Sequence, residues 1–297
     1  MDVLDVLSLQ KKYPEYAAES PFDFAKHASI GCGGCAPIAF YPKSAEETAG
    51  LVRRLKEDGI SYHALGNLTN VLPPDGQSSR VVVSMKKCKG IIEKKGGLYV
   101  AAGVSAGELL AACKKRRLTG AEFLEGIPCT LGGALYMNAG VGGAYIGDIV
   151  EDVTAIFEGK TVVLTNADCA YAYKSSVFMN GEFVILGATL RLRQSDEAEI
   201  ESRRAYYAAR RAHLPKGRSM GCVFKNPENA VAGKLIEGAG LKGLRLGGAT
   251  ISLTHANFIL NDKGATAAEI KAIIDIVKNA VFAQYKIRLK EEIVYLD

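Results

Sequence analysis

Three things are scarce in this sequence: clustered metal ligands, a dominant charge, and long unbroken apolar runs. Its seven cysteines (Cys32, Cys35, Cys88, Cys113, Cys129, Cys169 and Cys222) are odd in number and scattered. That suits free thiols in a reducing compartment, not a disulfide framework. Cys32-Gly33-Gly34-Cys35 is a lone CxxC without the two further ligands a zinc site needs, so no metal is expected. The 37 Lys and Arg stand against 32 Asp and Glu, a net charge of +5. Such a balance admits anionic ligands but is too mild for a nucleic-acid footprint. Residues 126–147 carry no charge, yet they hold seven glycines, Pro128 and Asn138, a composition unlike a membrane span. Met1-Asp2-Val3-Leu4-Asp5 places acids where a secretory signal has a basic region. A cytoplasmic protein without a membrane partner is expected.

What is present predicts an α+β chain. At 297 residues and 48% hydrophobic, it can bury a real core in two or three lobes. Capping boxes open three helices, at Ser44/Glu47, Ser105/Glu108 and Thr266/Glu269. In each, a hydroxyl and a returning carboxylate satisfy two orphan N–H groups. Between them β-rich runs fall at 38–41, 62–65, 81–84, 98–102, 150–157, 161–164 and 183–193, with a last strand at 287–296. A seam is expected at Ser195-Asp196 and a softer one after Lys86, giving segments 1–86, 87–195 and 196–297.

No phosphate-binding GxxxxGK[ST] occurs. Gly31-Cys32-Gly33-Gly34-Cys35-Ala36 fits GxGxxA, but Pro37 and a β-like run follow where a helix should begin. Two other segments are more informative. One is Leu65-Gly66-Asn67-Leu68-Thr69-Asn70; the other runs from Glu125-Gly126-Ile127-Pro128-Cys129-Thr130-Leu131-Gly132-Gly133-Ala134 to Met137-Asn138-Ala139-Gly140. Small residues in series can turn backbone N–H groups inward as an anion nest, and they can equally be tight turns.

These two segments resemble the flavin-pyrophosphate loops of the UDP-N-acetylenolpyruvoylglucosamine reductase (MurB) family, G-x-G-S-N and G-I-P-G-x-x-G-G-A-x-x-M-N-A-G. Tyr173-Lys174-Ser175-Ser176, Gly221-Cys222-Val223-Phe224-Lys225-Asn226-Pro227, Leu235-Ile236 with Leu241-Lys242-Gly243, His255-Ala256-Asn257-Phe258 and Leu289-Lys290-Glu291-Glu292-Ile293 extend the likeness over nearly the whole chain. The length resembles the shorter, type II form. The resemblance implies a two-lobed FAD-binding domain of the vanillyl-alcohol-oxidase/MurB type and a smaller α/β substrate domain from 196 onward. It implies NADPH as hydride donor, and reduction of UDP-N-acetylglucosamine-enolpyruvate to UDP-N-acetylmuramate in peptidoglycan precursor synthesis. Gly66, Asn67, Thr69, Asn70, Gly126, Ile127, Gly132, Gly133, Asn138 and Gly140 are the implied flavin contacts. The implied partner is a small nucleotide sugar, met by a monomer.

Residues 203–218 hold six basic residues and no acid. The pattern alone fits a solvated helix; the resemblance assigns Arg210 and Arg211 to the substrate's diphosphate, where a guanidinium fork binds phosphate oxygens in pairs. Tyr173, Asn226, Lys234 and His255 are further implied substrate contacts. The catalytic set is Lys174 and Glu292 at the substrate carboxylate and Cys222 as proton donor. Leu68-Thr69 replaces Gly-Ser, Cys129 replaces Gly, Lys174 replaces Arg, and Cys222 replaces Ser. These departures leave open a divergent paralogue that binds flavin or nucleotide sugar with altered or no reductase activity.

Overall fold

The computed structural model describes residues 6–180 and 182–297. They form two compact units, and the chain changes unit at Ser20/Pro21, Pro37/Ile38, Asn67/Leu68, Ser79/Arg80 and Ala212/His213.

The first unit is built on two sheets. In one, Ala18–Glu19, Ala39–Phe40, Val81–Ser84 and Tyr62–Leu65 lie in that order, the last three parallel. The helix Ala45–Glu57 provides the crossover and buries Thr48, Leu51, Val52 and Leu55. Val81–Ser84 is buried at every position, the expected state of a central parallel strand. The other sheet is antiparallel, ordered Lys160–Thr165, Val150–Phe157, Val184–Arg191, Gly97–Ala101 and Ile91–Lys94. The central strand Val184–Arg191 is buried along most of its length, whereas the edge strand Lys160–Thr165 alternates half-buried and exposed. One hydrophobic cluster runs from Phe40 and Leu51 through Val100 and Leu110 to Leu190 and Tyr207. The softer boundary expected after Lys86 therefore falls inside a continuous core. Truncating a fully buried leucine such as Leu55 to Ala removes about 2–5 kcal/mol.

In the second unit, Arg245–Leu246, Ala249–Ile251 and Ile259–Asn261 make an antiparallel sheet. The helix Ala267–Tyr285 belongs to the same unit and buries Ile270, Ile273, Ile274, Val277 and Val281. Its first turn is held by the Thr266/Glu269 capping box and by Asp75, whose two carboxylate oxygens accept from the Ala267 and Ala268 amides at 2.6 and 2.9 Å. A carboxylate there also complements the helix dipole. The last strand is shorter than expected: Val294–Tyr295 pairs in parallel with Val71–Leu72, and before it Glu291 makes an isolated bridge to Phe224. Around the CxxC, the Asn261 carboxamide donates to the Ile30 and Gly31 carbonyls at 2.9 and 3.0 Å. A Cβ on Gly34 would overlap the Gly76 carbonyl, so glycine there serves close backbone approach.

The expected seam at 195/196 and the contact boundary at 212/213 differ by one helix, Glu197–Arg211. Tyr207 is buried in the first core, and ion pairs Arg203–Glu122 (3.3 Å) and Arg204–Glu125 (2.6 Å) fasten the helix there. The basic stretch continues to Arg218, but the helix ends at Arg211. Ser105 and Thr266 form full capping boxes. At Ser44 the hydroxyl caps Glu47, while the Glu47 carboxylate accepts from the Lys43 amide.

Candidate active site

Within the first unit, Gly66-Asn67 of the first glycine segment meets the second segment. Gly66 follows the strand Tyr62–Leu65, and the Asn67 carboxamide donates to the Pro128 carbonyl at 3.1 Å. A Cβ on Gly66 would overlap Thr130 Oγ1. Thr130 caps the helix Leu131–Met137, accepting from the Gly133 amide at 3.3 Å. The amides of Leu131 and Gly132 donate to the Val104 and Ala102 carbonyls, both at 2.8 Å. The Gly132-Gly133 amides thus point into the protein and do not form the open nest expected of them. At Gly132 smallness serves close packing, since a Cβ there would stand 3.1 Å from that of Ala102. Gly126 is left-handed (φ +71°), with Ile127 half-buried beside it. Gly140 opens a hairpin in which a Cβ would overlap the Ala144 carbonyl. Thr69 and Asn70 belong to the second unit, where the Asn70 carboxamide donates to the Glu292 carbonyl at 3.0 Å. Leu68, standing for the family glycine, keeps the left-handed backbone (φ +52°).

Charge around the loops suits an anion. Segments 65–72 and 126–147 contain no acid, and the nearby Glu122 and Glu125 are neutralised by Arg203 and Arg204. The Arg211 side chain lies against Gly126, its Nε 3.3 Å from where a Cβ would stand. Arg210 lies against Gly142 and donates to the Tyr206 hydroxyl at 3.0 Å. Both arginines expected at the substrate diphosphate are thus carried by the unit that holds the flavin loops. The small, uncharged, acid-free lining fits a flavin diphosphate. Cys129, buried in the second loop, has its thiol pushed up to about 12 by burial, against the pull of Arg211. A protonated thiol is no nucleophile, which argues against a covalent flavin bond there. His27 is stacked on Phe22 at 4.2 Å.

Tyr173 and Lys174 form the tip of a two-residue hairpin. Ala172 and Ser175 exchange two backbone hydrogen bonds of 3.1 Å at its base, and Lys174 is left-handed (φ +52°). The Tyr173 ring is exposed and meets Tyr145 edge-on at 6.4 Å. The Asn138 carboxamide, buried at the end of the Leu131–Met137 helix, donates to Ala172 O (2.8 Å) and accepts from the Gly147 amide (3.0 Å). That side chain is engaged within the protein, and its place among the flavin contacts does not rest on it.

Cys222 and Glu292 come together in the second unit through the backbone. The Glu292 amide donates to Val223 O at 2.7 Å and the Lys225 amide to Lys290 O at 2.9 Å. On the other side Cys222 bridges Phe258, and the Val223 amide donates to Asn257 O at 2.8 Å. Buried Asn257, absent from the sequence-derived set, accepts from the Phe224 amide (2.9 Å) and donates to the Phe224 carbonyl (2.8 Å). It holds one side of the 222–225 segment. Cys222 itself is half-buried and follows left-handed Gly221 (φ +77°). Asn226 accepts from the Ala232 amide at 3.0 Å, opening the helix Ala232–Gly238 that carries exposed Lys234. His255 Nδ1 accepts from the Asn257 amide at 3.3 Å. Burial, then the neighbouring His213, holds His255 below the ordinary histidine range. Lys174 belongs to the first unit.

Comparison with known proteins agrees across both units. Residues 36–165 match the family model of an FAD binding domain. Residues 213–296 match that of the UDP-N-acetylenolpyruvoylglucosamine reductase C-terminal domain. The reductase of Shouchella clausii is 34% identical over 284 residues, 95% of this chain and 91% of the relative. That of Geobacter metallireducens is 37% identical over 272 residues, 91% and 90% of the two chains. The crystal structure of the Thermus caldophilus reductase superposes with a TM-score of 0.82 at 29% identity, covering 95% of this chain and all of that one. The chain belongs to the UDP-N-acetylenolpyruvoylglucosamine reductase family.

Proposed function

We propose that this protein is an NADPH-dependent flavoprotein reductase that converts UDP-N-acetylglucosamine-enolpyruvate to UDP-N-acetylmuramate for peptidoglycan precursor synthesis. The observation that carries the reading is the family match over both units, with the flavin loops closed on each other by the Asn67–Pro128 bond. Bound FAD would supply the hydride chemistry between NADPH and the enolpyruvyl double bond. The protein's residues handle the charge and the proton that this creates. Hydride on the terminal carbon leaves an electron pair on the carbon beside the carboxylate, an enolate-like species. Lys174 and Glu292 meet that carboxylate, and the Cys222 thiol delivers the proton that completes addition of two hydrogens. A thiol is far more acidic than the usual serine hydroxyl, so the replacement keeps a competent donor. Lysine is a point charge without the two-pronged grip of arginine, which lowers enolate stabilisation relative to the family pattern.

We further infer a cytoplasmic location, a reading supported by the odd count of free thiols, and a monomer, which size-exclusion chromatography with light scattering tests. The test of function begins with the purified protein. It should be yellow and release FAD on mild denaturation, and NADPH should bleach it. A colourless protein that cannot be reconstituted with FAD overturns the assignment.

A further inference from the structure

We infer that Asn138 is a positioning residue that sets the Tyr173-Lys174 hairpin at a fixed distance from the flavin loop. The inference rests on the reading of Lys174 as the cation that meets the substrate carboxylate. Asn138 is 4% exposed and left-handed (φ +43°, ψ +58°), a backbone state that asparagine tolerates better than other side chains. Its carboxamide has a donor facing the Ala172 carbonyl and an acceptor facing the Gly147 amide. Reversing the amide would oppose donor to donor and acceptor to acceptor, so only one orientation is possible.

The hairpin needs this anchor. A two-residue turn closed by two hydrogen bonds is marginal alone in water, and this one holds Lys174 left-handed at its tip. Its base is tied twice to the end of one helix: Asn138 to Ala172, and the Ser176 hydroxyl to Tyr136 O at 2.7 Å. The start of the same helix is Gly132-Gly133 of the flavin loop. Seven helical residues make a stiff spacer of about 10 Å between loop and hairpin. Gly147 is fixed in turn. Its carbonyl accepts from Asn166 at 2.7 Å, and a Cβ on it would stand 2.8 Å from the Tyr171 ring. One buried carboxamide thus joins three segments, alongside the Ser176–Tyr136 bond and the bond from the Ile146 amide to Ala139 O at 2.9 Å.

The test compares Asn138→Gly, Lys174→Met and the double variant in the FAD-loaded enzyme. Glycine keeps the left-handed backbone and removes only the carboxamide. N138G should retain FAD and the parental rate of bleaching by NADPH, while reoxidation by the enolpyruvyl sugar slows about 10–100-fold, the scale of an ångström's misplacement. The double variant should be no slower than K174M alone, because both changes act through one lysine. Independently, exchange of the Ala172 and Ser175 amides should quicken about tenfold in N138G. Ser176→Ala, which removes the other anchor, should show the same split and carries the test if N138G fails to fold. Parental reoxidation in N138G with a slow K174M overturns the positioning role alone. A parental K174M overturns the reading of Lys174 and the inference with it.

Discussion

The flavin loops and the Cys222 segment reach precision by opposite means. At residues 66–67 and 126–133 the chain packs closely on its neighbours, and glycine is required because a Cβ on Gly66 would overlap the Thr130 hydroxyl. At 222–225 the segment is tied by isolated bridges and hydrogen bonds, on one side to 290–292 and on the other to Asn257 and Phe258. The first region tolerates no added atoms; the second tolerates no lost hydrogen bonds. A cradle for a large cofactor is set by shape, whereas a proton donor must be set by direction, and the two constructions answer those needs.

Substitutions at five positions, one of them read across a pH series, test this contrast. The largest effect is kinetic. Cys222→Ala should slow turnover of the enolpyruvyl sugar by about 10²–10⁴-fold, the usual worth of a general acid, while sparing bleaching by NADPH in a stopped-flow trace. Turnover at the parental rate would remove Cys222 from the mechanism. Next, Asn257→Ala strands the buried amide and carbonyl of Phe224, at about 1–3 kcal/mol each. Denaturant unfolding should show a loss of about 2–5 kcal/mol. Asn257→Asp should restore only part of it, since a carboxylate accepts from the amide but cannot donate to the carbonyl.

Gly66→Ala is the matching change in the other region. Forcing a Cβ onto Thr130 should cost about 1–3 kcal/mol, and it should weaken FAD retention more than it shifts the unfolding midpoint. Arg211→Ala decides which ligand that residue serves. Its place beside Gly126 favours FAD, so the Kd for FAD should rise about tenfold, the low end for a charge-assisted contact. A raised substrate KM with unchanged FAD affinity would return Arg211 to the substrate diphosphate.

The smallest effect concerns His255. Burial and His213 lower its pKa, so the unfolded chain binds more protons than the folded protein. The stability His255 contributes is whole above the unfolded value of about 6.5 and is lost as pH falls toward the folded one. The urea midpoint should therefore fall between pH 7 and 5, and His255→Asn should flatten that slope. An unchanged slope would mean that His255 protonates without cost in the folded state.

Local pattern was legible where neighbours in sequence decide the structure. Strands Tyr62–Leu65, Val81–Ser84 and Val150–Phe157 fall at the limits read from alternation and apolar runs, and three helices start where hydroxyls announce them. The transfer of residues 21–37 and 68–79 to the second unit was not legible, because it rests on pairs such as Asp75–Ala267 separated by most of the chain. The same holds for Asn138, Asn257 and Asn261. A sequence shows an asparagine but not its partner, and all three are buried clamps. The glycine motifs marked the right loops, and of the two readings, anion nest or tight packing turn, Gly132 follows the second: it permits contact with Ala102 and its amide donates to the Ala102 carbonyl.

The central claim is that the bound flavin passes its electrons to an enolpyruvyl nucleotide sugar. The direct measurement is anaerobic: bleach the enzyme with one equivalent of NADPH, then add UDP-N-acetylglucosamine-enolpyruvate. The yellow absorbance should return rapidly with one equivalent of UDP-N-acetylmuramate, two hydrogens heavier than the substrate by mass. A flavin that stays bleached, with the sugar recovered unchanged, would contradict it.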